Sequence, residues 1–217
     1  MAEASLVVPL GVDILDLKNP AFGALGALDV LDVRRIVEAF PGQTISATIG
    51  DLPMTPDLIT DKVDAMARTG VDFVKIGFFE TGDWLPVLNA LKPTSDRGVR
   101  LVAVLFGDQN ISLDALPAFR ASGFHGVMVD TADKSRGGLL DCRNPRWLSQ
   151  FVTLGQSLGL LTGLAGSLTL MDIPILKALG ADYLGFRGAL CQRDRTSGLD
   201  LSSAMRVRDA MSGPACP

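Results

Sequence analysis

Three of the six lysines in this chain lie at or just after the carboxyl ends of predicted β-strands. Lys18 comes after Asp16 in "GVDILDLKNP", Lys75 lies within "VDFVKIGF", and Lys134 comes after Asp130 in "VMVDTADK". A lysine that is shielded from water beside another cation loses its proton more easily, and the neutral amine can attack a carbonyl carbon to form an imine. Neighbouring aspartates can move protons while the carbinolamine loses water. These residue types and their spacing therefore predict lysine-based carbonyl chemistry.

The repulsion between two neighbouring ammonium groups is large enough to change the reactivity of a lysine. At about 6 Å and an effective dielectric constant of about 20, the repulsion is roughly 3 kcal/mol, or about two pKa units. This would raise the neutral fraction of a lysine at neutral pH from about one in 2,500 to about one in 25. The alternative is that Asp16 with Lys18, and Asp130 with Lys134, form ion pairs that only fill the end of the fold. Buried ion pairs contribute little to stability, which favours chemistry.

Apolar segments typical of strands alternate with amphipathic segments along the whole chain. A glycine, a short polar turn and an apolar run recur in this order at Gly11, Gly70, Gly123 and Gly180. The pattern predicts a single α/β domain over residues 1–217, a TIM-type (β/α)8 barrel whose parallel strands are buried on both faces. Active sites of such barrels lie at the carboxyl ends of the strands, where these lysines are expected.

Only seven strands can be identified, whereas a closed barrel of this type has eight. They are expected to begin near residues 11, 44, 71, 100, 126, 161 and 183. The segment "AEASLVVPLG" ahead of the first of them reads as the end of a helix. We therefore expect the barrel to lack its first strand in this chain, which would leave two strand edges unpaired and lower the stability or solubility of the protein.

Two glycine-containing segments, "LAGSLTL" and "LGFRGAL", follow the last two predicted strands. In barrel enzymes the corresponding loops bind phosphate through backbone N–H groups and a helix N-terminus. The predicted phosphate-binding residues are Gly166, Ser167, Gly185, Arg187 and Gly188. The glycines would allow close approach of the backbone, and Arg187 would bind phosphate through two parallel hydrogen bonds. Opposite the lysines, this site favours a phosphorylated carbonyl compound as the substrate.

The composition argues against several other classes of protein. The net charge of −4 and the lack of a basic stripe argue against nucleic acid or an anionic membrane as a partner. The three cysteines are far apart and His125 is the only histidine, so neither a disulfide framework nor a metal site is predicted. No glycine-rich nucleotide motif follows a strand, and no signal peptide or membrane-spanning run is found. We expect a cytoplasmic protein without a cofactor.

Several segments resemble one known family. "DILDLKNPAFGALGA", "SATIGDLP", "VDFVKIG", "VDTADK", "LAGSL" and "GFRGALC" occur in this order along nearly the whole chain. They are similar to (5-formylfuran-3-yl)methyl phosphate synthases, and the D-x-K-x-P-x-x-G-x-L-G-A run is specific. The resemblance implies a barrel lyase of methanofuran biosynthesis. Such an enzyme condenses two molecules of glyceraldehyde 3-phosphate to the furan aldehyde phosphate, with loss of one phosphate and two waters. The overall change is redox-neutral, so no cofactor is implied.

The resemblance also implies roles for individual residues. Lys18 falls at the position of the family's Schiff-base lysine and Lys75 at that of its acid–base lysine, while Asp16, Asp130 and Lys134 match further active-site positions. Two alternatives stay open: another phosphosugar barrel enzyme of the aldolase, decarboxylase or epimerase type, and a barrel that binds a sugar phosphate without catalysis. The sequence does not decide whether the protein forms a homo-oligomer.

Overall fold

The structure is a computed structural model that describes residues 1–213, apart from the side chain of Lys134. Residues 214–217, Cys216 among them, lie outside the described residues. Seven strands form one sheet, in which each strand is parallel to its neighbours and lies beside the next strand of the chain. They are β1 (Leu15–Leu17), β2 (Ile45–Thr48), β3 (Phe73–Phe78), β4 (Leu101–Phe106), β5 (Gly126–Asp130), β6 (Leu161–Leu164) and β7 (Tyr183–Leu184). The prediction of a curled parallel sheet of seven strands is confirmed.

α-Helices connect the strands, as the alternating pattern predicts. Within residues 1–213 they are α1 (Ala2–Val7), α2 (Val30–Ala39), α3 (Pro56–Ala67), α4 (Trp84–Asp96), α5 (Leu116–Ala121), α6 (Leu139–Cys142), α7 (Pro145–Ser157), α8 (Ile173–Ala178) and α9 (Leu201–Ser212). Several of these helices are capped by a side chain that accepts a hydrogen bond from a backbone N–H of the first turn. Asp29 caps α2, and Asn144 caps α7 directly before a proline. None of these helices is long and apolar enough to cross a membrane.

The two faces of the sheet have different partners because side chains alternate along each strand. Residues such as Leu15, Ala47 and Val74 belong to a large apolar core shared with the helices. The opposite face is the interior of the curled sheet, and on β4 and β5 it is apolar, with Val104 and Met128 almost fully buried. On β1 to β3 the same face carries charged and hydroxyl side chains. The interior therefore has a polar wall and an apolar wall.

The first strand is shorter than the sequence predicts. β1 begins at Leu15 rather than near Gly11, because Gly11 has a φ of 77° and ends a short 3-10 turn after α1. The carbonyl groups of Val12 and Asp13 accept hydrogen bonds from the Gln43 side chain instead of a neighbouring strand. The expectation that a helix precedes this strand is confirmed by α1.

Within residues 1–213, β1 and β7 are the two edge strands and do not pair with each other. Several contacts link the segments near these edges. The guanidinium group of Arg187, after β7, forms an ion pair with Glu3 of α1 at 2.7 Å. Further along, Arg195 Nη2 donates a hydrogen bond to the carbonyl oxygen of Gly23, in the loop after β1, at 3.0 Å. Side-chain contacts therefore link the two sides of the sheet at the carboxyl ends of its strands.

Candidate active site

A buried ion pair joins the inner faces of β1 and β3. Lys75 Nζ lies 2.9 Å from Asp16 Oδ2, and the two side chains are 7% and 30% exposed. The other carboxylate oxygen of Asp16 accepts a hydrogen bond from Ser46 Oγ, on the intervening strand β2, at 2.6 Å. The register explains the grouping, because Asp16 pairs with Ser46 in the ladder while Thr48 pairs with Lys75. Three neighbouring strands thus contribute one residue each to a polar cluster.

A second ion pair spans the interior between β1 and β5. Lys18 Nζ lies 3.6 Å from Asp130 Oδ2, with side-chain exposures of 15% and 3%. The other oxygen of Asp130 accepts a hydrogen bond from the backbone N–H of Thr131 at 2.7 Å, which fixes the plane of the carboxylate. Lys134 begins a 3-10 turn three residues after Thr131, but its side chain lies outside the described residues. Lys18 is therefore held loosely and is more accessible than Lys75.

The pKa of Asp16 reflects its position between the two lysines. Burial alone would raise the pKa of this carboxyl, but the nearby charges of Lys75 and Lys18 and the hydrogen bonds from Ser46 and Lys75 outweigh it. The pKa of Asp16 is accordingly held below its usual value. At neutral pH the cluster thus contains a carboxylate in the field of two ammonium groups. Such a carboxylate is a weak base, so its main effect is to stabilise and orient the two ammonium groups.

The loop of residues 19–26 covers this cluster. The Asp51 carboxylate, after β2, accepts hydrogen bonds from the backbone N–H groups of Ala24 at 2.8 Å and Leu25 at 2.9 Å. The loop passes so close that a Cβ at Gly23 would lie 1.9 Å from Asp51 Oδ2. The side chain of Leu25 is fully buried and reaches over β3, where a Cβ at Gly77 would lie 2.7 Å from Leu25 Cδ1. Gly77 is the next inward position after Lys75, so Leu25 shields this lysine from solvent.

Three backbone N–H groups of the predicted phosphate loops have no acceptor within the described residues. Gly166 has a φ of 117° and Ser167 a φ of 48°, which is a left-handed conformation that non-glycine residues rarely adopt. Among the described residues, no acceptor receives a hydrogen bond from the N–H of Gly166 or Ser167, or from that of Gly188 after β7. Gly185 and Gly188 do not need a positive φ, and a Cβ at Gly188 would meet no atom within 4 Å. Unpaired N–H groups of this kind form concave sites for anions.

The structure gives Arg187 a different partner from the one predicted. Its guanidinium group makes two hydrogen bonds to the Glu3 carboxylate, at 2.7 and 3.0 Å, and donates to the carbonyl oxygens of Arg195 and Ser197. Burial alone would lower the pKa of Arg187, but the hydrogen bonds to Glu3 and the charge of Glu3 outweigh burial and raise it. The guanidinium group therefore has little remaining capacity for phosphate while Glu3 is bound. Its phosphate-binding role stays a prediction.

Ser46 and Leu25 are site residues that the sequence analysis did not identify as such. Ser46 shares the inward parity of Thr48 on β2, so alternation along the strand was the available signal. Leu25 is an apolar residue in a loop, and nothing in its type indicates that it covers a polar site. No group of three or more His, Cys, Asp or Glu residues able to hold a metal ion is found in the part of the chain that the structure describes.

The fold and the site define a parallel (β/α) barrel protein with paired lysines and carboxylates at one end of its sheet. A 3-hexulose-6-phosphate synthase from Salmonella typhimurium has a similar fold, with a TM-score of 0.71 at 16% identity, and the match covers 97% of this chain and 91% of that one.

Comparison of sequences is more specific. The model of a family described as 4-HFC-P synthase matches residues 1–208. A putative (5-formylfuran-3-yl)methyl phosphate synthase of Methylorubrum extorquens is 39% identical over 98% of this chain and 89% of its own length. The corresponding synthase of Methanopyrus kandleri is 37% identical over 94% of this chain and 92% of its own length. The chain belongs to the 4-HFC-P synthase family.

Proposed function

We propose that this protein condenses two molecules of glyceraldehyde 3-phosphate to (5-formylfuran-3-yl)methyl phosphate, as a step of methanofuran biosynthesis. One phosphate and two waters leave, which balances the atoms and needs no oxidant or reductant. Membership of the family supports the product, and the two lysines in one interior support the chemistry. The observation that carries the proposal is the pairing of an accessible Lys18 with Asp130, beside a buried Lys75 with Asp16.

Lys18 forms the imine in this scheme. Its side chain is the more exposed of the two, and its 3.6 Å contact with Asp130 is too long for a tight hydrogen bond. A nucleophile must be free to rotate towards a carbonyl carbon, and a loosely held amine meets this need. Asp130 then accepts the proton that the amine loses, and returns it to the carbinolamine hydroxyl as water leaves.

In this scheme Lys75 transfers protons to and from carbon atoms of the substrate. The Lys75 side chain is almost fully buried, and its ammonium group is oriented by Asp16. Asp16 is held in turn by a hydrogen bond from Ser46. A group held in this way can deliver and remove protons at one carbon position, as enamine formation and loss of phosphate require. Lys134 assists dehydration of the second triose in this proposal. The N–H groups around Gly166, Ser167 and Gly188 bind a phosphate, with Gly185 giving room and Arg187 available if it leaves Glu3.

Trapping with borohydride tests this proposal. The protein is incubated with glyceraldehyde 3-phosphate and borohydride, and the adduct is located by peptide mapping, while furan aldehyde formation is measured without borohydride. We expect a triose adduct on Lys18 that the Lys18→Met variant lacks. Lys92→Met is the matched control, because Lys92 is an exposed helical lysine paired with Asp96 and should leave adduct and product unchanged.

The results separate the proposal from its alternatives. Product without an adduct on Lys18 would remove the imine from the mechanism. An adduct without the furan aldehyde would favour another phosphosugar enzyme of the aldolase type. Neither adduct nor turnover, in folded protein that still binds triose phosphate, would favour a barrel that binds without catalysis.

A further inference from the structure

Tyr183 is a polar residue on the inner wall that the proposed mechanism does not yet use. It begins β7 and pairs with Gly163 of β6, and its ring belongs to the interior cluster together with Met128 and Ala165. A Cβ at Gly163 would lie 2.3 Å from Tyr183 Cζ and 2.6 Å from its hydroxyl oxygen. The phenol therefore lies flat across the backbone of β6, in space that only a glycine at position 163 leaves open.

The hydroxyl group of Tyr183 has no protein partner in the described part of the chain. Tyr183 is half-buried, and its hydroxyl oxygen is not among the fully buried side-chain atoms that lack a partner, so this group is accessible. Of the other polar side chains described in the interior, Asp16 is bound to Lys75 and Ser46, and Lys18 lies 3.6 Å from Asp130. The Tyr183 hydroxyl is therefore available to bind a ligand that enters the interior.

The electrostatic surroundings keep this phenol protonated. Burial contributes most to the raised pKa of Tyr183, followed by the negative charges of Asp16 and Asp182. Asp182 itself is bound to the N–H and hydroxyl groups of Thr162, so it faces away from the substrate space. Tyr183 and Asp16 lie on the two edge strands, β7 and β1, and both side chains are on the interior face of the sheet. A phenol with a raised pKa stays protonated at neutral pH, so it remains able to donate a hydrogen bond.

We propose that the Tyr183 hydroxyl donates a hydrogen bond to the aldehyde oxygen of the triose phosphate that accepts the new carbon–carbon bond. The inference rests on the proposed function of the same site. When the enamine carbon on Lys18 attacks this aldehyde, the electron pair of the C=O bond moves to oxygen, and the hydrogen bond from Tyr183 stabilises the oxyanion. No proton leaves the phenol, and the alkoxide takes its proton from the Lys75 ammonium. Tyr183 is thus a catalytic residue for formation of the carbon–carbon bond and not for formation of the imine.

Removal of the hydroxyl alone tests this role. In Tyr183→Phe the ring remains, so packing against Gly163 is preserved. We expect kcat to fall about 100-fold, as for loss of one oxyanion donor, with little change in KM and with the borohydride adduct on Lys18 intact. Thr69→Val is the control for loss of a buried hydroxyl away from the site, since Thr69 bonds only to Met66 at a helix end. Turnover of Tyr183→Phe equal to that of the unmodified protein would overturn the proposal.

A measurement that needs no turnover separates this inference from the proposed function. The chain contains one tyrosine, so fluorotyrosine labels Tyr183 alone. We expect its fluorine NMR signal to shift with glyceraldehyde 3-phosphate and to shift much less with glycerol 3-phosphate, which has no carbonyl oxygen. Equal shifts with both ligands would overturn the role of Tyr183 even in an active enzyme. Different shifts in a protein that makes no furan aldehyde would support Tyr183 as a carbonyl-binding residue and refute the proposed reaction.

Discussion

Replacement of Lys75 by Met tests whether the buried ion pair is as strongly coupled as its geometry indicates. The charges of Lys75 and Asp16 are 2.9 Å apart, which corresponds to an attraction of about 6 kcal/mol at an effective dielectric constant of about 20. Desolvation of both groups offsets part of this. We expect the variant to lose about 3 kcal/mol in free energy of unfolding at neutral pH, because the Asp16 carboxylate stays partly buried with a weaker set of partners.

The pH dependence of this loss follows from the pKa of Asp16. The pKa is lower in the folded protein than in the unfolded chain, so the ion pair stabilises the fold above the unfolded value of about 4. The contribution disappears as the pH falls through the folded-state pKa. In Lys75→Met the pKa of Asp16 rises, because its strongest lowering interaction is gone while burial remains. The difference in stability between the two proteins should therefore be large at neutral pH and shrink in acid.

Urea unfolding of four proteins measures the coupling directly. They are the unmodified protein, Lys75→Met, Asp16→Asn and the double variant. We expect the double variant to be more stable than the sum of the single effects predicts, by about 3 kcal/mol. Lys92→Met is the control, because Lys92 and Asp96 form an exposed pair and should contribute less than about 0.5 kcal/mol. A coupling between Asp16 and Lys75 no larger than that of the exposed pair would refute the reasoning.

Two further substitutions test the surroundings of the cluster. Asp51→Ala removes two charge-assisted hydrogen bonds to the loop of residues 19–26, each contributing about 1.5–3 kcal/mol, so hydrogen exchange of the Ala24 N–H should accelerate at least about tenfold. Unchanged exchange would show that apolar packing alone holds the loop. Ser46→Ala should raise the pKa of Asp16 and lower the free energy of unfolding at neutral pH by about 1–2 kcal/mol. An NMR titration of Asp16 that does not change would contradict this.

The fold was predictable because its signal repeats. Each strand is a short apolar run after a glycine and a polar turn, and the alternation with helices leaves few arrangements other than a parallel barrel. The strand that was placed least well is β1, where Gly11 ends a helical turn and the chain becomes a strand only at Leu15. Local propensity could not locate this change, since "GVDILDLK" is compatible with a strand throughout.

The partners of the charged residues were less predictable than the residues themselves. Sequence proximity pairs Asp16 with Lys18, yet Asp16 lies within salt-bridge distance of Lys75 and Lys18 within that of Asp130. Residues two apart on a strand are about 6.6 Å apart along it, which is longer than the distance to the inward residues of neighbouring strands. The partners therefore depend on register and curvature, which appear only when the sheet forms.

Arg187 illustrates the same limit over a longer distance. The glycines around it are typical of a phosphate loop, and an arginine there is a reasonable phosphate ligand. Its observed acceptor is Glu3, on the helix that precedes β1. Helix α1 contacts this loop because curvature of the sheet brings the segments beside its two edge strands, β1 and β7, together. No local pattern in either segment indicates the contact.

The covering loop has a consequence for the order of events in a catalytic cycle. Lys18 directly precedes residues 19–26, and Leu25 of the same loop lies over the interior above Lys75. Lys75 is almost fully buried beneath Leu25, so a ligand that contacts Lys75 would require Leu25 to move, and the chain connects this loop directly to Lys18. Admission of a ligand and alignment of Lys18, the proposed nucleophile, would then be one conformational event. Turnover would be limited by how often the loop reopens whenever chemistry is faster than that motion.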